Sequence, residues 1–244
     1  MLTVSVRPRH LLTVLLAVTA VLVATSYAFL LLTVALGVDA GVVVSARKFV
    51  DVNNEQNLPA WYSAMLLCVA GLVTLEVGRR AVLERRRFRW HWVVLGAGFL
   101  YLSLDELVAL HEKFVEPMTA VVGSGGVFAY AWVAAALPAV AVVALAFLGF
   151  LRALPRRTAA LVLLGGALYV GGAVGMEMVA NVLTSAGVDE GGMLYGTLQT
   201  VEEAMEMAGP AVYLYAVAAH AAARAVDLTA QENAAAPRPE RSPA

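Results

Sequence analysis

The chain has 244 residues, of which 61% are apolar and only 14% are charged, and its mean hydropathy is +0.77. An average soluble domain is about 45–50% apolar and about 25% charged, so this composition excludes an ordinary soluble fold, a disordered chain and a coiled coil. The formal net charge of −1 gives no basis for a nucleic-acid partner. The single cysteine, Cys68, excludes an intramolecular disulfide and a zinc site built on several thiolates.

Six apolar segments are long enough to cross a bilayer as helices, for which about 20 residues suffice. They are residues 11–38, 59–77, 90–110, 127–151, 158–183 and 193–223. The first is longer than the core of a signal peptide and is not followed by a small-residue cleavage site, so we expect a retained helix. The sequence therefore predicts an all-α, polytopic membrane bundle of six transmembrane helices.

Basic residues alternate from loop to loop along this pattern. Arginines concentrate in the N-terminal segment, in residues 79–89 and in residues 152–157, whereas the intervening loops carry most of the acids. The positive-inside rule then places both termini in the cytoplasm of a cell-membrane protein. Residues 1–224 are expected to form the transmembrane domain. Residues 225–244, rich in Ala, Pro and charges, are expected to form a disordered cytoplasmic tail.

Acidic residues occur inside three of the predicted spans, although a charge at membrane depth costs about 2.5–3.5 kcal/mol even on the lenient insertion scale. At about 100° per residue, Tyr101, Asp105 and Glu112 share one face of the third helix, flanked by His111 and Glu106. The fifth helix carries a polar stripe of Glu177 and Asn181. The stripe of the sixth helix comprises Gln199, Glu202, Glu206 and Tyr213, with Glu203 at its edge. Such stripes should face protein or water instead of lipid.

The depths of these acids agree between the helices. At a rise of 1.5 Å per residue, Asp105 lies about 22 Å from Trp90, and Glu177 lies about 28 Å from residue 158. Glu202 and Glu206 lie about 10–17 Å below Tyr195. We therefore expect the three stripes to meet in one layer near the extracytoplasmic surface.

This predicted layer holds seven carboxylates and one histidine, His111, because the other three histidines fall near the cytoplasmic face. So many carboxylates cannot all be ionised in a low-dielectric space unless cations or protons neutralise them. Their oxygens suit a divalent metal, with iron or manganese preferred over zinc. We expect Asp105, His111, Glu112, Glu177, Glu202 and Glu206 to be the metal ligands. Glu106 and Glu203 would be catalytic residues that act beside these ligands as acids or general bases.

Two alternatives to a metal site stay open. Protonated carboxyls can donate protons to a substrate or relay them during transport, and buried acids can also act as hydrogen-bonding glue between helices. The carboxylate pattern of di-iron helical bundles is matched only in part, because Glu203 and Glu206 have its spacing without its histidine.

The polar segment 47–62, between the first two predicted spans, has three interpretations. Asp51, Asn53 and Glu55 alternate as at the start of a calcium-binding loop, but Gln56 stands where that loop needs glycine. The second interpretation is a lid over the acidic layer, and the third is an ordinary connection anchored by Trp61 and Tyr62.

Three strings carry a family resemblance: residues 55–63 (EQNLPAWYS), residues 102–112 (LSLDE, four residues, then HE) and residues 202–209 (EEAMEMAG). They are similar to strings in a group of uncharacterised bacterial multi-pass membrane proteins. The resemblance covers most of residues 54–210 and implies no particular activity. The chain has too few histidines for the ceramidase-like membrane hydrolases, and it lacks the mid-span lysine of a rhodopsin.

These observations favour a metal-dependent membrane enzyme that acts on a lipid-like substrate in the outer leaflet, with membrane lipid as its surroundings. A cation or proton transporter is the second hypothesis, although the inner half of the predicted bundle is nearly free of charge. A non-enzymatic sensor or assembly factor is the third. The sequence predicts no particular oligomeric state.

Overall fold

The structure is a computed structural model that describes residues 8–113 and 132–235. Within these ranges every regular element is helical, and no strand is present. The first part contains α1 (Pro8–Leu30), which continues as a π-helical turn (Leu31–Ala35), followed by α2 (Gly41–Val50), α3 (Leu58–Leu83), α4 (Arg89–Val108) and α5 (Leu110–Lys113).

The second part contains α6 (Val133–Ala153) and α7 (Arg156–Val170), then a π-helical segment (Gly171–Met176), α8 (Glu177–Ser185) and α9 (Met193–Ala235). One continuous helical stretch, residues 156–185, is formed by α7, the π-helical segment and α8. Glycine supplies three of the six residues of the π-helical segment, whose sequence is GGAVGM.

Five of the helical stretches within the described residues are long and apolar enough to cross a membrane. They are Pro8–Ala35, Leu58–Leu83, Arg89–Val108, Val133–Ala153 and Arg156–Ser185. Much of their apolar surface faces outward, as Val21, Leu72 and Leu145 illustrate at 65%, 55% and 69% exposure. Large exposed apolar surfaces are rare in monomeric soluble proteins but are normal where helices face lipid. The fold is therefore that of a helical membrane protein.

Helix α9 lies at the centre of the bundle and packs extensively against α7, α1 and α3. Its middle section is almost fully covered, and Met207, Ala211 and Val217 are 0% exposed. The Tyr213 hydroxyl, also in this section, forms a 2.8 Å hydrogen bond with the Thr74 hydroxyl of α3. Inside a membrane protein such a bond both satisfies two polar groups and fixes the position of two helices.

Helices α3 and α4 form the most extensive pair. Their backbones approach closely where Gly71 faces Gly96, because a Cβ atom on Gly71 would stand 2.9 Å from the Gly96 carbonyl oxygen. The Ser103 hydroxyl donates a 2.7 Å hydrogen bond to the Ala64 carbonyl oxygen. These two contacts set the rotation of α4 about its axis, and thereby decide which of its acids point into the bundle.

One predicted element is wrong. The third span was expected to continue as one helix through His111 and Glu112, but α4 ends at Val108 because Ala109 adopts a left-handed conformation with φ of +47°. The short helix α5 follows this break, so residues 101–113 do not form one continuous helix. Tyr101 is 53% exposed.

Other helix ends extend past the predicted limits. Helix α3 continues to Leu83, and α9 continues past the predicted domain boundary at residue 224 to Ala235. Near the end of α3, Glu76 forms ion pairs of 2.7 Å with both Arg79 and Arg80. The start of the fourth predicted span, residues 127–131, lies outside the described residues, and the tail's disorder stays a prediction.

Candidate functional site

Acidic side chains from four separate parts of the chain line one cavity of about 190 Å³, which we call the acidic cavity. Its carboxylates belong to the connection between α2 and α3, to α4, to α8 and to α9. They are Glu55, Glu106, Glu177, Glu202, Glu203 and Glu206. No arginine, lysine or histidine is among the described residues that line it.

Helix α9 contributes most of the polar wall. Gln199, Glu202, Glu203 and Glu206 fall within two turns, so an α-helix brings them to neighbouring positions on one side. Glu202 is only 8% exposed, and its Oε2 atom is buried without a hydrogen-bond partner. The Gln199 Oε1 atom is in the same state. A buried acceptor without a donor is costly, so these two oxygens mark a position where a cation or a hydrogen-bond donor would be stabilised.

Glycine in the π-helical segment allows the backbone of that segment to approach α9 closely. A Cβ atom on Gly172 would stand 2.8 Å from the Glu202 carbonyl oxygen and 2.8 Å from Cγ of Glu206. This contact brings the start of α8 next to α9, so that the Glu177 and Glu202 side chains line the same part of the cavity. Neighbouring buried carboxylates repel each other unless a proton or a cation neutralises them.

The connection between α2 and α3 covers part of the cavity, to which it contributes Asn53, Asn54 and Glu55. It is anchored by the Val52 amide, which donates a 3.0 Å hydrogen bond to Ser26 Oγ, and by the Val52 side chain, which is 3% exposed and packs in a cluster with Leu22 and Met207. The Asn57 amide group donates a 2.6 Å bond to the Asp51 carbonyl oxygen.

Two details of this connection bear on the calcium-loop interpretation. The Asp51 carboxylate accepts a 2.9 Å charge-assisted hydrogen bond from Arg47 and a 3.2 Å hydrogen bond from the backbone N–H of Asn53. Both of its oxygens are therefore bonded within the segment. Gln56 has φ of +58°, a left-handed conformation that glycine adopts more easily. These contacts hold the segment in a fixed position beside the acidic cavity, which it helps to line.

The predicted site residues separate into three groups. The structure brings together Glu177, Glu202 and Glu206 of the predicted metal ligands and both predicted catalytic residues, Glu106 and Glu203. Asp105, a predicted ligand, is not among the lining residues. The side chains of His111 and Glu112 lie outside the described residues, so their predicted roles stay predictions.

Trp132 also lines the cavity, and its contribution was not anticipated from the sequence. A single tryptophan ahead of an apolar helix has no distinguishing pattern, so only the three-dimensional arrangement identifies it. Asn181, expected beside Glu177, is 0% exposed and is not among the lining residues.

The carboxylates line the walls of the cavity and do not converge on one point. Among the residues that the structure describes, no three His, Cys, Asp or Glu side chains stand in an arrangement that could hold a metal ion. Glutamate has three side-chain torsions, so ligand positions can change by rotamer rotation without movement of the helices.

Together, the fold and the cavity define a helical membrane protein with an acid-lined cavity at one end of its bundle. Residues 14–221 match the family model described as "Domain of unknown function (DUF8692)". This match covers most of the chain, which therefore belongs to that family. No curated protein and no solved structure matches the chain.

Proposed function

We propose that the acidic cavity binds a divalent cation and that the protein is a metal-dependent membrane enzyme acting on a lipid-like substrate. The observation that carries this proposal is the set of six lining glutamates without a basic residue among the described lining, together with the buried, unpartnered Oε2 of Glu202. A cation that satisfies this oxygen would also neutralise its neighbours. Carboxylate ligands favour manganese, iron or calcium over zinc.

The proposed orientation follows from the charges at the two ends of the bundle. Arg80, Arg86 and Arg87 lie at the opposite end of α3 and α4 from the acidic cavity. If the arginine-rich end is cytoplasmic, six spans, with α9 as the sixth, place both termini in the cytoplasm and the cavity toward the outside. The protein would then lie in the cell membrane, with its tail on the inner side.

The size of the cavity limits what can enter it. At about 190 Å³ it is smaller than the roughly 300–1,000 Å³ of pockets that enclose drug-sized ligands. It can hold a metal ion with water and a small polar group, while acyl chains stay between or beside the helices. In this proposal Glu177, Glu202 and Glu206 turn toward the ion, and Glu106 or Glu203 transfers protons.

A second function is favoured by the same cluster of neighbouring carboxyl groups, Glu177 and Glu202 among them, because such groups can share a bound proton. Acids that hold protons are typical of proton or cation transporters. Below the cavity, however, α9 buries Met207 and Ala211 completely, and the Thr74 and Tyr213 hydroxyls are bonded to each other. Residues 207–223 of α9 contain no acid, so its carboxylates do not continue toward the arginine-rich end, and this favours the enzyme over the transporter.

Elemental analysis of the purified protein tests the proposal. We expect stoichiometric manganese or iron in the wild type and a lower melting temperature after chelation, because the ion stabilises the folded state that binds it. Glu202→Gln keeps the shape of the side chain but removes its charge, so it should weaken metal binding by about tenfold or more.

Glu190→Gln is the matched control, because Glu190 is an exposed acid in the connection between α8 and α9, outside the cavity. It should leave metal content unchanged. The proposal is wrong if the wild type holds no stoichiometric metal and chelation does not change its melting temperature. Proton or metal flux into proteoliposomes that Glu206→Gln abolishes would instead support the transporter. Altered partner binding with unchanged metal content and turnover would support the sensor or assembly factor.

A further inference from the structure

A second and larger cavity, of about 440 Å³, lies at the arginine-rich end of the bundle. It forms where the connection between α3 and α4, the connection between α6 and α7, and the second half of α9 come together. We call it the arginine cavity, after four of its lining residues: Arg80, Arg86, Arg87 and Arg224. It shares no lining residue with the acidic cavity.

Two of these arginines are engaged in local ion pairs. Arg80 bonds to Glu76 at 2.7 Å, and Arg86 is paired with Glu84. Arg87 lies over the ring of Phe88, 4.7 Å from its centroid, and Arg224 is exposed on α9. Neither Arg87 nor Arg224 forms an ion pair with any side chain that the structure describes. Four guanidinium groups against Glu84 in the lining and Glu76 beside Arg80 leave the cavity positively charged.

Part of the cavity wall is apolar, because the lining residues Val77, Phe88 and Leu154 are only half-buried. Trp92 and Phe150 are buried beneath this wall, at 6% and 1% exposure, with ring centroids 4.9 Å apart in an edge-to-face arrangement. Trp92 also stacks on His220 with a centroid distance of 5.5 Å. The arginine cavity therefore combines anion-binding groups with an accessible apolar surface.

This combination selects one kind of ligand. A free phosphate ion needs hydrogen-bond donors and charge but gains nothing from an apolar wall. A phospholipid offers a phosphate diester, which the planar guanidinium group binds with two parallel hydrogen bonds, and a glycerol backbone that packs on apolar surface. Basic pockets between helices at a membrane surface are suited to anionic headgroups.

We propose that the arginine cavity binds the phosphate headgroup of an anionic phospholipid from the adjacent leaflet, with Arg87 and Arg224 as the principal donors. The half-buried apolar residues of the wall, Val77, Phe88 and Leu154, contact the glycerol and the first acyl carbons. Because this site is separate from the acidic cavity, the inference stands whether or not a metal ion binds there.

Native mass spectrometry of the full chain in detergent, titrated with phosphatidylglycerol or phosphatidylcholine, tests the inference. The wild type should retain phosphatidylglycerol at lower lipid concentrations than phosphatidylcholine. The double variant Arg87→Gln, Arg224→Gln should bind phosphatidylglycerol about 100-fold more weakly, since the loss of one charge-assisted hydrogen bond to the phosphate weakens binding by about tenfold. The control is Arg152→Gln, Arg156→Gln, which removes the same charge from exposed positions of α6 and α7 outside the lining; its affinity should equal that of the wild type.

Three outcomes overturn the inference. The first is equal retention of the two lipids by the wild type, which needs no variant and so does not depend on the folding of any. The second is an equal loss of phosphatidylglycerol in both double variants, which would indicate a general surface-charge effect. The third is displacement of the lipid by inorganic phosphate at comparable concentrations, which would make the site a free-phosphate site.

Discussion

At the scale of single residues, neighbouring acids on α4 have different surroundings. Asp105 and Glu106 differ by one position, or about 100° around a helix, and Glu106 lines the acidic cavity whereas Asp105 does not. The contacts of Gly71 with Gly96 and of Ser103 with Ala64 fix this rotation. Sequence periodicity placed Asp105 on the shared face and Glu106 at its flank, whereas the rotation of α4 in the structure depends on how α3 packs.

This difference gives a matched pair of variants for catalysis. If Glu106 transfers protons, Glu106→Gln should abolish turnover of a lipid substrate while metal content stays near the wild-type level. Asp105→Asn, which makes the same chemical change one residue away, should retain both. The measurement is a mass-spectrometric comparison of membrane lipids incubated with each purified variant and manganese. Identical lipid profiles with the wild type and without protein would contradict enzymatic turnover.

At the scale of helices, the π-helical segment at 171–176 brings the acids of α8 and α9 together. A π-helical turn holds more residues than an α-helical turn, so it shifts the faces of everything that follows. Gly171 and Gly172 both lie against α9, whereas a Cβ atom on Gly175 would have no neighbouring atom within 4 Å. The close approach at Gly172 brings the start of α8, with Glu177, to the cavity that Glu202 also lines.

Substitution of Gly172 and Gly175 distinguishes the effect of a close interhelical contact from the effect of helix propensity. A Cβ atom on Gly172 would stand 2.8 Å from a backbone oxygen of α9, so Gly172→Ala should cost about 1–3 kcal/mol and weaken cation binding. Gly175→Ala adds its Cβ to open space, and it should leave stability unchanged or raise it by up to about 1 kcal/mol. Thermal unfolding with and without manganese measures both effects. Equal destabilisation by the two variants would argue against a specific contact at Gly172.

Much of this arrangement could be predicted from the sequence, because apolar length and the spacing of acids are local properties. The long helices and the polar side of α9 are of this kind. The left-handed residue at Ala109 and the π-helical turn could not be predicted in the same way. Alanine favours helix and gives no sign of a break, and a glycine-rich stretch indicates close packing without revealing the register.

At the scale of the whole molecule, the two ends of the bundle carry opposite charge. The acidic cavity is at one end, and the arginine cavity is at the other, on the far side of the buried apolar section of α9. Such polarity fits a chain whose arginines stay on the cytoplasmic side during insertion. It also separates a proposed site of chemistry from a proposed site of lipid anchoring.

Cysteine labelling tests the proposed orientation. In a background in which Cys68 is replaced by serine, Glu190→Cys should react with an impermeant maleimide added to intact cells. Arg156→Cys, at the opposite end, should react only after the cells are permeabilised. Both positions are exposed in the structure, so accessibility depends on the membrane side alone. The reverse labelling pattern would place the acidic cavity in the cytoplasm and contradict the proposed topology.

The central claim is that a cation occupies the space between the glutamates of α4, α8 and α9. Crystals of the full chain soaked in manganese and measured at the manganese absorption edge test it most directly. We predict one or more anomalous peaks within the acidic cavity, in contact with Glu177, Glu202 or Glu206, and their loss in Glu202→Gln. Absence of a peak in the cavity, or peaks only at exposed acids such as Glu190, would contradict the claim.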